Sequence, residues 1–572
     1  MINAETTTVP SARTRTVPAL FLPTPPTEEQ KYAYLGREHR WIFPTSALAF
    51  AAIMISLMIF SLSHVALWAF LLPLALYTMT MALSGTTSFR RGSIRGTEHR
   101  ANVETWVPSY LDSVDVFLPS AGEALEILDN TYCHVADLQW HGVLNVYVLD
   151  DSARPAVADL AAAYGFTYRT RPDRGVLKKA GNLRYGFDQS AGDVIAIFDA
   201  DFVPRPDYLY ELMPYFDDEK VAIVQSPQYF ETLRDMHWIA KHAGSTQEMF
   251  YRWIQTARDR FGAAICVGTC ALYRRSALLQ SGGFAPIAHS EDVHTGVNLM
   301  KAGFRVRYVP VNVSAGLCPD TFSAFVNQQY RWCSGSLSLL RNPTFHRHSA
   351  ISRRQRMSFF AGFLYYISTA VNVVLMPLPP LIMIWVFTSD IKPSNSVWMI
   401  GSMLMWMLVY PLVHKSRWSL ATLRVQYLYS WAHAVATVNH VAGRTKGWVA
   451  TGAASKSTPI ASSVRRALLA HAVVTQIGIV TGLVYATRAV GLDQVWAMIA
   501  LALVNAYVVL PAAWAAAVDP LNDLAARVRA TWRAPGDQVI DLTDSALAVP
   551  TDASPAVPVA RRQVEVPNIM SI

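Results

Sequence analysis

The longest uncharged stretch of the chain lies near its N-terminus. Residues 41–89 contain no Asp, Glu, Lys or Arg, and about 20 apolar residues are enough for a helix to cross the hydrocarbon core of a bilayer. The polar residues 61–64, Ser-Leu-Ser-His, interrupt the stretch and predict two crossing helices, at about 42–60 and about 65–84. The alternative is the buried core of a large soluble protein, but core helices seldom extend this far without a charge.

Four further apolar stretches occur in the last third of the chain. They predict crossing helices at about 367–388, 397–414, 467–487 and 495–518. The total is six crossings. A helical pattern with few charges at about 419–440, together with the stretch at about 353–366, predicts helices that lie on the bilayer surface.

The composition agrees with a membrane protein. Of the 572 residues, 52% are hydrophobic and only 16% are charged, whereas soluble proteins carry roughly 25% charge. This composition excludes a disordered chain and disfavours an ordinary soluble enzyme.

Basic residues are distributed unevenly around these stretches. The short loops 61–64, 389–396 and 488–494 carry only Lys392 and Arg488, whereas the opposite flanks are rich in arginine. Basic flanks favour the cytoplasmic side, so we expect both termini and the residues between the second and third crossings to lie in the cytoplasm, beneath a plasma (inner) membrane. These flanks also account for the net charge of +8, and no nucleic-acid partner is expected.

The two ends of the chain look different from the rest. Residues 1–40 are polar, without an early apolar segment, so no cleavable signal peptide is expected. Residues 519–572 end in Ala/Pro/Val-rich sequence and are expected to be disordered. The five cysteines form no Cys-x-x-Cys pair and have no histidine at zinc-ligand spacing, so reduced thiols and no metal cluster are expected.

Residues 100–345 have the pattern of a soluble domain. Three short runs rich in β-branched residues, 114–118, 143–149 and 194–198, are typical of buried parallel strands. Helix-compatible stretches such as 123–130 separate them. This alternation predicts an open α/β sheet, in which ligands bind at the carboxyl ends of the strands.

Acidic residues follow two of these runs. Asp150 and Asp151 come directly after the second run, and Asp199 and Asp201 come after the third. Alternate residues of an extended segment point the same way, so Asp199 and Asp201 are candidates to share one Mg²⁺ or Mn²⁺ ion that also takes phosphate oxygens. Asp-x-Asp is also a frequent turn sequence, but two acidic clusters at two strand ends favour a metal and diphosphate site.

Further motifs follow in a characteristic order. They are Asp150-Asp151, Asp199-Ala-Asp201, Ser290-Glu291-Asp292 and Gln328-Gln-Tyr-Arg331-Trp332. In order and spacing, this series resembles the processive family-2 glycosyltransferases of the cellulose synthase type, over about 110–460. One departure is Ser290, which stands where the family usually has threonine.

The resemblance implies a fold and a division into segments. The fold is a multi-pass α-helical membrane protein with an inserted cytoplasmic α/β domain of the GT-A, Rossmann-like kind, at 100–345. Two crossings, the interfacial helices and a gating loop fall in 350–460, and two more crossings fall in 465–518.

The resemblance also implies a role for each motif. Asp292 is the candidate general base for the acceptor hydroxyl, and Asp199 and Asp201 are the metal ligands. The nucleotide and its diphosphate would be bound by Ser120, Glu123, Asp150, Asp151, Lys179, Gln328 and Arg331. The acceptor would be bound by Trp332, Cys270 and Glu291. The gating loop would include Thr445 and Lys446, although the Phe-x-Val-Thr motif of the family is not clean there.

Four of these motifs have a simpler explanation. The alternatives are a helix N-terminus for Glu291-Asp292, a membrane-interface anchor for Arg331-Trp332, a solvated basic patch for Lys178-Lys179 and core packing for Cys270.

The expected function is that of a processive inverting β-glycosyltransferase. It would polymerise a β-glucan, with β-1,4 or mixed β-1,3/1,4 linkages, from UDP-glucose and translocate it across the membrane. The alternatives are a chitin-, hyaluronan- or mannan-type synthase that uses another nucleotide sugar, a single-addition lipid glycosyltransferase, and a non-catalytic transporter that would leave the aspartates unexplained. The expected partners are the UDP-sugar, the growing polysaccharide and the lipid bilayer; accessory export proteins or a homo-oligomer stay open. No cyclic-di-GMP-binding barrel is expected in the tail.

Overall fold

The computed structural model describes residues 21–35, 39, 41–88, 94–108, 110–444 and 458–531; at 86–88 and 522–531 it describes the backbone alone. The contacts divide the chain into two units, Met1–Pro520 and Leu521–Ile572. The architecture below is that of the first unit. In the second, residues 521–531 are helical.

The described residues form helices before, within and after the α/β domain. Before it lie α1 (Glu28–Lys31), α2 (Ile42–Ser63) and α3 (Leu71–Ser88). Within it lie α4 (Gly96–Glu104), α5 (Leu125–Ala136), α6 (Pro155–Ala163), α7 (Lys179–Asp188), α8 (Tyr208–Leu212), α9 (Trp238–Met249), α10 (Thr256–Arg260), α11 (Arg275–Ser281), α12 (Glu291–Lys301), α13 (Phe322–Leu340) and α14 (Pro343–Arg347). After it lie α15 (Arg353–Leu375), α16 (Leu378–Trp385), α17 (Ile400–Leu404), α18 (Tyr410–Val413), α19 (Thr422–Val441), α20 (Pro459–Val490) and α21 (Leu492–Thr531).

Six helical segments of the described chain are long and apolar enough to cross a membrane. They are Ile42–Ser63, Val65–Gly85, Arg353–Trp385, Pro393–Val413, Pro459–Val490 and Leu492–Leu521. Two precede the α/β domain and four follow it, as the sequence predicts. Helix α21 extends to Thr531, beyond position 519, where the sequence predicts that disorder begins.

The third of these segments begins earlier than the sequence predicts. Residues 353–366 are not a separate helix, because α15 runs unbroken from Arg353 to Leu375. Its start is fixed by a capping box, in which Ser352 Oγ accepts from the Gln355 N–H at 3.2 Å and Gln355 Oε1 accepts from the Ser352 N–H at 2.7 Å. The helix ends near Pro377, whose ring cannot continue an α-helix, and not at the change in polarity near 367.

Helix α19 corresponds to the second stretch for which the sequence predicts an interfacial helix, at 419–440. It packs against α13, α15 and α20. Val425, Leu428 and Ala432 are fully buried in these contacts. One side of α19 thus packs against other helices, and its position at the bilayer surface stays a prediction.

The described residues of the α/β domain form ten strands in two sheets. The strands are β1 (Val114–Ser120), β2 (Leu144–Asp150), β3 (Thr167–Arg169), β4 (Val194–Ile197), β5 (Phe202–Pro204), β6 (Val221–Gln225), β7 (Tyr229–Phe230), β8 (Ala271–Arg274), β9 (Arg305–Tyr308) and β10 (Ser314–Gly316). The large sheet has the order β3-β2-β1-β4-β8-β6-β9. Strands β1, β2 and β4 are the three that the sequence predicts, and they are parallel. Strand β8 is antiparallel to both of its neighbours, so the sheet is mixed.

A small sheet of order β5-β10-β7 lies beyond the end of β4. Strand β5 starts directly after Asp201 and pairs antiparallel with β10. Phe202 packs on Gly316, where a Cβ would lie 2.7 Å from the phenyl ring, so this register requires glycine.

Candidate active site

The carboxyl ends of β1, β2 and β4 meet at one edge of the large sheet. β1 ends at Ser120 and β2 at Asp150, and these two residues are paired in the sheet register. Asp199 and Asp201 follow β4, which lies on the other side of β1. Because parallel strands place their carboxyl ends on one edge, the residues predicted to bind the nucleotide and the metal are brought together.

Asp199 is held in place by the loop 267–270 and by Lys179. Its N–H donates to Thr269 Oγ1 at 2.8 Å, and its carboxylate forms an ion pair with Lys179. Lys179 Nζ also donates to the Gly268 carbonyl at 2.9 Å. Burial lowers the pKa of Lys179, but the neighbouring carboxylates, Asp199 first, outweigh this effect and raise it. Lys179 is therefore the charged partner of Asp199, and it does not belong to a solvated basic patch.

Asp201 lies in the same cluster of charges. Burial, followed by the charge of Asp199, raises its pKa to about 7. Two carboxylates beside one lysine leave an excess of negative charge, which an oxygen-ligated divalent cation would neutralise. Among the residues that the structure describes, no group of three or more His, Cys, Asp or Glu side chains could hold a metal. A cation bound by Asp199 and Asp201 would need further ligands from outside this pair, such as phosphate oxygens.

Asp292 belongs to this cluster through Gly268. It lies in the first turn of α12, and a Cβ at Gly268 would lie 2.9 Å from the Asp292 Cβ. Burial, followed by the charge of Glu291, raises the pKa of Asp292 to about 7. Burial also raises the pKa of Glu291. Both carboxylates lie at a helix N-terminus, as the alternative explanation requires, and both face the cluster.

Strained backbone is concentrated around this edge. Ala153, Leu177, Lys178, Cys270 and Ser290 all have φ between 52° and 56°, a region that side-chain-bearing residues seldom adopt. Ser290 precedes α12 and fits against α13 because position 335 is glycine; a methyl group at Gly335 would overlap Ser290 Oγ. Such conformations cluster at functional sites, where the surrounding structure imposes them.

Gln225 is a site residue to which the sequence analysis assigns no role. Its Nε2 donates to the Thr269 carbonyl at 2.9 Å, and its Oε1 accepts from the Val267 N–H at 3.1 Å. It thus fixes the loop that carries Gly268 and Thr269. The available signal was a glutamine at the end of the otherwise apolar run Val221–Gln225, since a buried amide needs partners.

Helix α13 carries the Gln-x-x-Arg-Trp motif. Gln328, Arg331 and Trp332 are half-buried and share one face, because residues three and four apart are neighbours on a helix. Burial lowers the pKa of Arg331, and the carboxylates of Glu291 and Asp199 oppose this shift. Arg331 therefore lies in the field of the aspartate cluster, which a simple interface anchor does not require.

Asp150 and Asp151 are already engaged within the protein. Asp150 is fully buried and accepts from the Ser152 N–H at 2.9 Å and the Tyr168 hydroxyl at 3.1 Å. Asp151 forms a two-bond ion pair with Arg171, at 2.6 and 2.7 Å. Both carboxylates shape the turn after β2, and direct contact with a nucleotide stays a prediction.

Ser120 and Glu123 line the turn after β1. Ser120 Oγ donates to Asp150 Oδ1 at 3.3 Å. Glu123 Oε2 accepts from the Ala121 N–H at 2.6 Å, and burial raises the pKa of this carboxyl group. The turn is thereby joined to the Asp150 turn beside it.

Two further predictions have different outcomes. Cys270 is fully buried in the main hydrophobic core, which favours core packing over contact with an acceptor. Thr445 and Lys446, predicted to form a gating loop, lie outside the described residues.

The sequence of the chain is similar to those of known glycosyltransferases. The family model described as glycosyl transferase family group 2 matches residues 194–510. The UDP-forming cellulose synthase catalytic subunit of Xanthomonas axonopodis pv. citri (strain 306) is 33% identical over 264 residues, which cover 44% of this chain and 35% of that protein. The corresponding subunit of Pseudomonas fluorescens (strain SBW25) is 29% identical over 327 residues, which cover 56% of this chain and 42% of that protein. The matches thus span less than half the length of these relatives.

Solved structures show more distant likenesses. The mannosyltransferase PcManGT from Pyrobaculum calidifontis, solved with GDP-Man and Mn²⁺, is 16% identical with a TM-score of 0.47, covering 65% of this chain and 99% of that one. Glucosyl-3-phosphoglycerate synthase from Mycobacterium tuberculosis, solved with Mn²⁺ and UDP, is 18% identical with a TM-score of 0.27, covering 40% and 77%. These values are too low to assign an activity.

The family match covers more than half of the chain and includes the motifs from Asp199 to Trp332. It confirms the resemblance to cellulose synthase-type enzymes. Together with the mixed sheet and the six apolar helices, it confirms the expected fold, a multi-pass helical membrane protein with an inserted GT-A-like domain. The chain belongs to glycosyl transferase family group 2.

Proposed function

We propose that this protein is a processive inverting β-glycosyltransferase that polymerises a β-glucan from UDP-glucose. The observation that carries the proposal is the cluster of Asp199, Asp201, Asp292, Lys179 and Arg331 at one sheet edge. Three carboxylates and two cations suit a reaction that needs both a bound diphosphate and a base. The cellulose synthase relatives support glucose as the sugar.

The donor would be bound by two basic side chains, Lys179 and Arg331, and by a metal ion on two aspartates. Asp199 and Asp201 would hold Mg²⁺ or Mn²⁺, which would neutralise the charge that develops on the departing UDP. Lys179 and Arg331 would bind the same phosphates, since both already lie in the field of these carboxylates. Gln328 lies one turn before Arg331 on the same face.

The acceptor side uses Asp292 and Trp332. Asp292 would accept the proton of the attacking hydroxyl, and direct attack would convert an α-linked donor into a β-linked product. Trp332 would offer its indole face to the terminal sugar of the acceptor. Glu291, which lies beside Asp292, would raise the basicity of that carboxylate.

The pKa of Asp292 predicts a pH dependence. A general base acts when deprotonated, so at saturating Mn²⁺ turnover should fall about tenfold per pH unit below the pKa, which is about 7. Glu291→Gln removes the neighbouring negative charge, which is the second cause of the raised pKa of Asp292. The loss of turnover should therefore begin at a lower pH in this variant. A turnover number that is constant from about pH 5.5 to about pH 8 would exclude Asp292 as the base.

The helices after the sheet support a translocation path. Helix α13 packs against α15, α19 and α20, and polar side chains are buried among them. His433 Nδ1 lies 2.9 Å from Thr369 Oγ1, and its Nε2 has no hydrogen-bond partner among the described residues. Tyr365 and Tyr366 pack on the His433 ring. Buried polar groups beside the crossing helices α15 and α20 would suit a polymer that leaves the site along them.

The basic residues that flank the apolar stretches support a placement in the membrane. We propose that the α/β domain and both termini lie in the cytoplasm, with the α2–α3 pair before the domain and four crossings after it. In a bacterial cell this places the protein in the inner membrane. Accessory export proteins or a second copy of the chain are compatible with this arrangement.

The donor and the translocation step can be tested together. The purified protein in sealed liposomes should incorporate label from UDP-glucose, with Mn²⁺ or Mg²⁺, into a product that resists externally added glucanase until detergent is added. Preferential use of UDP-N-acetylglucosamine or GDP-mannose would replace the glucan by a chitin-, hyaluronan- or mannan-type product. A single sugar on a lipid would establish the single-addition alternative.

A further inference from the structure

The residues before the first crossing helix form a set of specific contacts with the α/β domain. We define the N-terminal segment as residues 23–34. Its central contact is Lys31, only 5% exposed, whose Nζ lies 2.6 Å from Asp207 Oδ2 and also forms an ion pair with Glu211. Glu211 is equally buried and binds His99 Nε2 at 2.6 Å. A lysine is seldom buried unless it is paired, so this contact fixes the segment in one position.

The N-terminal segment contacts residues in or next to each strand of the small sheet. Two residues before β10, the Asn312 N–H donates to the Lys31 carbonyl at 2.8 Å, and Asn312 Nδ2 donates to the Gln30 carbonyl at 2.8 Å. Directly after β7, Glu231 Oε1 accepts from Thr24 Oγ1 at 2.8 Å. Tyr34 packs edge-on against the Tyr229 ring with the centroids 6.0 Å apart.

The third strand, β5, is held through Arg205. This arginine follows Pro204, the last residue of β5, and donates to the Pro26 carbonyl of the N-terminal segment. Its Nε donates to Asp207 Oδ1 at 2.9 Å, which joins it to the Lys31 contact. The other end of β5 is Phe202, directly after Asp201. The segment therefore holds the strand that leads out of the proposed metal site.

Helix α5 contacts both the loop 199–201 and the N-terminal segment. Thr131 Oγ1 donates to the carbonyl of Ala200, between the two aspartates, at 2.6 Å. The neighbouring Asn130 Nδ2 donates to the Pro23 carbonyl at 3.0 Å. The contacts of Asp199–Asp201 and those of the N-terminal segment thus meet in consecutive residues of one helix.

We propose that the N-terminal segment is a positioning element for Asp201, with the Lys31–Glu211 pair as its central contact. This inference rests on the metal role of Asp199 and Asp201 proposed above. A small sheet held at the ends of its strands would keep the Asp201 carboxylate in reach of the cation. Loosening the segment should weaken metal binding, while Asp199 and Lys179 stay in place.

The test compares two buried ion pairs of the purified full-length protein. Lys31→Met removes the central contact, and Arg275→Met is the matched control, because it breaks the buried pair with Asp115 at the opposite end of β1. The readouts are the melting temperature and the affinity for Mn²⁺ in the presence of UDP, measured from the EPR signal of free Mn²⁺. We expect both variants to melt earlier, but only Lys31→Met to bind Mn²⁺ about tenfold more weakly. Lys31→Arg should restore most of the affinity.

Each outcome decides the proposal. Equal Mn²⁺ affinity of Lys31→Met and wild type, or equal loss in Lys31→Met and Arg275→Met, would overturn it while leaving the metal site intact. If wild type binds no Mn²⁺ with UDP, the metal assignment fails and this inference fails with it. If Lys31→Met does not fold, Asn312→Ala removes the side-chain bond to the Gln30 carbonyl and keeps the backbone bond to Lys31. Faster amide hydrogen exchange at 200–204 with weaker Mn²⁺ binding is expected, and unchanged values would overturn the proposal.

Discussion

Asp292→Asn is expected to transfer sugar about 10³-fold more slowly than wild type, within the range that a general base contributes. The amide keeps the shape of the carboxylate but cannot accept the proton of the attacking hydroxyl. Asp292 is not part of the proposed metal pair, so the affinity for UDP and Mn²⁺ should stay close to that of wild type. The expected pattern is a loss of turnover without a loss of binding.

The measurement is the initial rate of UDP release at saturating UDP-glucose, together with UDP affinity by calorimetry. His294→Ala is a suitable control, since His294 lies on the same helix and its Nε2 contacts Ser338 Oγ at 2.9 Å. This control should retain most of the activity. If Asp292→Asn keeps more than about a tenth of the rate, the base role is wrong.

Asp201→Asn is expected to weaken the metal-dependent binding of UDP by at least about 100-fold, since even outer-shell partners of a metal contribute 10- to 100-fold. The asparagine removes the negative charge that raises metal affinity, while its size leaves the packing after β4 unchanged. Turnover should fall in parallel and recover only in part at high Mn²⁺, because Asp199 stays in place.

The control for this variant is Asp115→Asn. Asp115 is fully buried on β1 and is bound by Asn145 Nδ2 at 3.1 Å, far along the strand from Ser120. It should lower stability without changing the Mn²⁺ dependence of UDP binding. The metal assignment would be contradicted if Asp201→Asn bound UDP as strongly as wild type and with the same dependence on metal.

The sequence was sufficient to predict the parts of this molecule that local patterns determine. The runs of β1, β2 and β4 predicted parallel strands, and the ends of β2 and β4 predicted the meeting of Asp150 and Asp199, because parallel strands place their carboxyl ends on one edge of a sheet. The apolar stretches predicted six crossings for a similar reason, since bilayer thickness sets their length.

Pairings between distant residues could not be predicted in this way. Lys31 and Glu211 are far apart in sequence, as are Gln225 and Thr269, and no local pattern identifies either residue as the partner of the other. Strand β8 is only four residues long, which is too short for a clear pattern. Its antiparallel direction depends on pairing with distant strands and is not encoded locally. The boundary at 367 was wrong because α15 continues as a helix from a polar surface into an apolar one.

Product analysis tests the central claim, that this chain is a processive β-glucan synthase, most directly. Purified protein is incubated briefly with labelled UDP-glucose and Mn²⁺, and the product is sized and digested with linkage-specific glucanases. We expect long chains from the earliest time points, which a β-1,4-specific or a mixed-linkage β-glucanase degrades to short oligosaccharides. A product that stops at one sugar, or a polymer that resists every β-glucanase, would contradict it.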